Sequence, residues 1–91
     1  MPGKGFKRMD VGQAKSAKKY METQATSLEG LLRKLAQETR DVEWEGPDAK
    51  KFKGTELQKI EASVKKVVKE ITNMANTLDR NIKRQEQVSS H

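Results

Sequence analysis

The stretch DVEWEGPDAKKF, residues 41–52, interrupts two long polar segments and decides how the chain folds. It holds the only tryptophan, Trp44, between Glu43 and Glu45, and Gly46 and Pro47 follow at once. Glycine and proline in succession end one helix. Proline then suits the first position of the next, where its missing N–H would have no partner anyway. Asp48 falls in that first turn, where the helix dipole favours an anion.

Upstream, Asp10 followed by Gln13 reads as a capping-box helix start. From there Ala14, Met21, Leu28, Leu35 and Val42 recur every seven residues, and Ala17, Ala25, Leu31 and Leu32 lie three or four away. The pattern predicts an amphipathic helix over about residues 10–42, roughly 50 Å long. Gly30 leaves room for another backbone to come close. Downstream the repeat is cleaner. Leu57, Ile60, Val64, Val67, Ile71, Met74 and Leu78 step by three and four, and Val68, Ala75 and Ile82 widen the stripe. This predicts a second helix over about residues 47–87, with Gly54-Thr55 as its weak point.

Two long helices joined by a turn at 43–46 give an all-α fold, an antiparallel hairpin forming one domain over 10–88. Residues 1–9 read as a basic tail and 89–91 as a short C-terminal one. One hairpin leaves a long apolar strip in water, and docking on a second hairpin as a four-helix bundle removes it. The expected hairpin and dimer interface comprises Leu28, Leu31, Leu32, Leu35, Leu57, Ile60, Val64, Val67, Ile71 and Leu78. Leu35 and Leu78 are expected to be buried. Trp44 is expected to fold back over the end of the bundle as a plug, against Ala49, Phe52 and the region of Val42.

Composition excludes several classes of function. With 91 residues, no cysteine and no His/Asp cluster, neither disulfides nor a structural metal can staple the fold. The lone histidine is the terminal His91 and no phosphate-cradling glycine loop precedes a helix, so neither an enzyme nor a cofactor is expected. The longest apolar runs are pairs such as Leu31–Leu32, too short for a secretory signal or a membrane span. The net charge of +6 makes a basic helical-bundle protein that binds nucleic acid the rival reading. Against it, the lysines at 59, 65, 66 and 69 lie opposite the apolar stripe with no aromatic among them.

Trp44-Glu45-Gly46, central in a cysteine-free chain of this length, with Ala49 and Phe52 downstream, resembles the turn of the WXG100 or ESAT-6-like proteins. These are small substrates of type VII secretion systems, and the resemblance covers about Asp10 to Val88. It implies an antiparallel four-helix-bundle dimer, made with itself or with another WXG100-like protein, the homodimer being preferred. It also implies export from the cytoplasm without a cleavable signal peptide, through docking on the type VII export ATPase, and action outside by protein–protein contact. Family members often carry a tyrosine, with an acid four residues later, near the end of helix two. Here Asn81 and Gln85 stand at those places. Together with Val88 they make a degenerate secretion signal, unless the partner protein carries the tyrosine. Asn81 also reads as a polar core position that fixes register.

Overall fold

The structure is a computed structural model that describes residues 8–89. Its helices are α1 (Val11–Arg40), α2 (Pro47–Lys51) and α3 (Leu57–Ser89), with a π-helical segment, Phe52–Glu56, joining the last two. They form an antiparallel helical hairpin within an envelope of 67 × 21 × 16 Å.

α1 starts where the sequence says it should. The Asp10 carboxylate accepts from the Gln13 N–H at 2.9 Å, satisfying a donor that the first helical turn leaves without a partner. The helix stops at Arg40, two residues short of the expected end. The Asp41 N–H closes it onto the Gln37 carbonyl at 3.0 Å. Gly46, at φ +114° and ψ 176°, reverses the chain. That backbone region is essentially reserved for glycine. Pro47 follows in the first turn of α2, and the Lys50 N–H bonds the Gly46 carbonyl at 3.0 Å.

The second arm is not the uninterrupted α-helix that was expected. Eight residues of α-helix would rotate Leu57 by about 80° away from Ala49. The wider π turn at Phe52–Glu56 takes up much of that rotation, because each of its bonds spans one more residue. Ala49 and Leu57 are consequently both buried against α1, at 2% and 3% exposure.

Ion pairs tie α1 to α3, among them Lys15–Glu86 at 2.8 Å, Lys18–Asp79 at 3.1 Å and Arg40–Glu61 at 3.0 Å. In each pair the two residue numbers add to about 100, the register of an antiparallel hairpin. Between the arms the core is thin. On α1 the buried residues are Ala14, Ala25, Leu32 and Ala36; on α3 they are Leu57, Ala75 and Ile82.

The expected seven-residue stripe of α1 leaves this seam after Leu28. A straight helix drifts by about 20° per heptad from a strict seven-residue repeat. By the end of α1 the repeat has moved off the face that meets α3. Ala14, Ala25 and Ala36, eleven apart, remain on it. Leu35, expected to be buried, is 46% exposed instead. Gly30 also departs from expectation: the nearest atom to a Cβ added there would be the end of the Arg33 side chain at 3.9 Å, so no backbone approaches.

Candidate functional site: an aromatic turn and an apolar strip

The turn brings Trp44, Ala49 and Phe52 to one end of the hairpin. Pro47 and Asp48 start α2, which carries Ala49 inward, and Phe52 opens the π segment. The rings of Trp44 and Phe52 lie with centroids 5.9 Å apart and planes at 52°, a tilted aromatic pair. The Lys53 ammonium donates to the Val42 carbonyl and ties the π segment to the end of the first arm. A cavity of about 470 Å³ opens here, lined by Val42, Glu43, Trp44, Glu45 and Lys53. Trp44 is not the buried plug expected of it: 44% of its surface remains exposed, and only Ala49 is enclosed.

A second feature runs along the hairpin. α3 carries two apolar rows, each spaced by seven. Leu57, Val64, Ile71 and Leu78 are buried or half-buried beside α1. Ile60, Val67 and Met74 lie one flank further round and are exposed. On α1, Leu31 and Leu35 are exposed too, and Leu28 is half-buried. Leu28, Leu31, Leu32, Leu35 and Val64 line one shallow apolar groove of about 280 Å³. The expected interface residues thus divide between a seam inside the hairpin and a strip facing water.

At the open end, Asn81 is half-buried, and its side-chain amide donates to the Thr77 carbonyl at 2.9 Å, along its own helix. Gln85 is half-buried and Val88 exposed. Nearby, Asp79 lies 3.1 Å from Lys18 and 3.0 Å from Lys83. Hydrogen bonds from Lys83 and then Lys18 hold its carboxyl below the usual carboxylate range. The same contact, with the charge of Glu22 assisting, raises Lys18 above the usual lysine value. Sequence reading missed this pair. The available signal was a lysine one heptad before Ala25, at a seam position where an apolar residue is the rule.

Among the described residues no cluster of three or more His, Cys, Asp or Glu side chains could hold a metal ion. No described helix is long and apolar enough to cross a membrane. The aromatic turn and the apolar strip are the two exposed apolar features described above. No family model, curated protein or solved structure matches the chain.

Proposed function

We propose that this chain is a WXG100-like protein, exported as a folded helical dimer by a type VII secretion system and acting as substrate or adaptor through protein–protein contact. The observation that carries the reading is the turn. Trp44 and Gly46 stand at the junction of two antiparallel arms, Gly46 in a backbone region reserved for glycine, with Ala49 buried and Phe52 paired to the Trp44 ring. These positions support the resemblance to a Trp-x-Gly turn with small and aromatic residues downstream. The exposed strip adds support. A hairpin that leaves Leu31, Ile60, Val67 and Met74 in water is suited to docking on a second hairpin, which would cover them.

In this reading Asn81, Gln85 and Val88 present the C-terminal part of α3 to the export ATPase. Val88 supplies exposed apolar surface there, and the half-buried Asn81 and Gln85 lie on the same helix two turns and one turn before it. The test is export from a host with a working type VII system, compared with the same host lacking the ATPase. The chain is expected in the medium only in the first. Val88→Glu should keep the circular dichroism of the parent and lose export. Equal release from both hosts would contradict the proposal.

A further inference from the structure

The cations of α3 are not spread evenly round the helix. At about 100° per residue, Lys65, Lys66, Lys69, Arg80, Lys83 and Arg84 fall within a sector of about 100°. All six are exposed. None of the four acids of α3 falls there. Glu61, Asp79 and Glu86 lie toward α1, where Arg40, Lys18 and Lys15 pair with them. Glu70 lies past the other edge of the sector. The seam thus draws the acids of the helix to one side and leaves these cations on another. Of the six, Lys83 pairs with Asp79; among the described residues the others have no acid within ion-pair distance. The basic face is also distinct from the apolar strip, because its centre stands about 150° round α3 from Val67.

We propose that this face of α3 docks on the phosphate backbones of double-stranded nucleic acid, without regard to sequence. The proposal goes beyond export and does not depend on it. The cations form two clusters, Lys65, Lys66 and Lys69 near the middle of the helix and Arg80, Lys83 and Arg84 toward its end. Lys69 and Arg80 are eleven residues apart, about 16 Å along the axis. A B-form major groove is about 12 Å wide. A helix crossing that groove sets one cluster beside each phosphate rim, within reach of side chains as long as Lys and Arg. Asn73 and Asn76 occupy the gap, polar but uncharged. A flat anionic surface or an acidic peptide has no matching break, and would gain from cations placed in the gap. Single strands are held largely by stacking on aromatic side chains, and α3 has none. Duplex phosphates ask only for cations.

The test is the anisotropy of a labelled duplex two helical turns long, of arbitrary sequence, titrated with the full chain at several salt concentrations. Six phosphate contacts give log affinity against log salt a slope of about −5, so binding should weaken about a thousandfold between about 50 and 200 mM salt. Lys65→Gln with Lys69→Gln should reduce the slope by about two, and Arg80→Gln with Arg84→Gln should do the same. Lys34→Gln, exposed on α1 about 200° past the buried Leu32, should leave the slope unchanged. Unlabelled duplex should displace the probe far better than single strand or polyglutamate of equal charge. Absence of binding at the lowest salt, or equal slopes in the parent and both double variants, overturns the proposal. So does displacement by single strand or polyglutamate as readily as by duplex.

Discussion

Lys18 and Asp79 meet across the open end of the hairpin at 3.1 Å, and Asp79 also holds Lys83 at 3.0 Å on its own helix. The apolar core beside them is thin, with Ala14 and Ile82 the buried residues there. At this end the ion pairs add to a small apolar contact. Asp79→Asn should therefore lower amide-exchange protection near Lys18 and Asp79 and leave the turn end unchanged. Equal loss along the whole hairpin would contradict a local role.

The pH dependence follows from the direction of each shift. Asp79 titrates below its ordinary value, so its contribution is complete above about pH 4 and disappears as pH falls through the lower folded value. Lys18 titrates above its ordinary value, so its contribution is complete below about pH 10 and disappears as pH rises through the higher folded value. In an acid titration followed by helical circular dichroism, the parent and Asp79→Asn should differ at neutral pH and converge below about pH 4. Added salt should narrow the neutral difference, because both groups are reached by solvent.

Gly46→Ala should destabilise the hairpin by about 1–3 kcal/mol, measured by denaturant unfolding. The cost is entirely backbone, since no atom lies within 4 Å of the added Cβ. An unchanged midpoint would mean that the turn relaxes freely out of φ +114°.

Trp44→Ala should cost about 1–2 kcal/mol in a single hairpin, less than the ~3–5 kcal/mol of a buried aromatic truncation. Trp44 is already 44% exposed, and its partner Phe52 is 48% exposed.

Leu57→Ala and Leu35→Ala should behave differently. Leu57 is 3% exposed, and its truncation should cost about 2–5 kcal/mol at any protein concentration. Leu35 lies on the strip, so its truncation should chiefly flatten the rise of melting temperature with concentration that an associating chain displays.

Much of the hairpin was legible in the residues. Helix periodicity, the Asp10 cap and the Gly46-Pro47 break are local signals, and each reappears in the structure. What lay beyond the sequence was which apolar row faces which neighbour. On α3 the two seven-residue rows differ by only about 60° of rotation, so both read as one stripe. Only the position of α1 separates Val64 and Ile71 from Ile60 and Val67. The π segment left no periodic trace beyond Gly54, and the Lys18–Asp79 contact joins residues far apart in the chain. At the turn, Gly46-Pro47 was readable as a helix break, and Trp44, Ala49 and Phe52 were picked out through the resemblance to the WXG100 turn. The exposure of Trp44 was not, because it depends on what covers the end of the hairpin.

The most direct measurement is the solution mass of the purified chain alone, by light scattering, with its helical circular dichroism recorded on the same sample. A helical species of twice the 10.3 kDa chain mass is predicted. A fully helical species at the single-chain mass, with the strip of Ile60, Val67 and Met74 stable in water, would contradict the bundle.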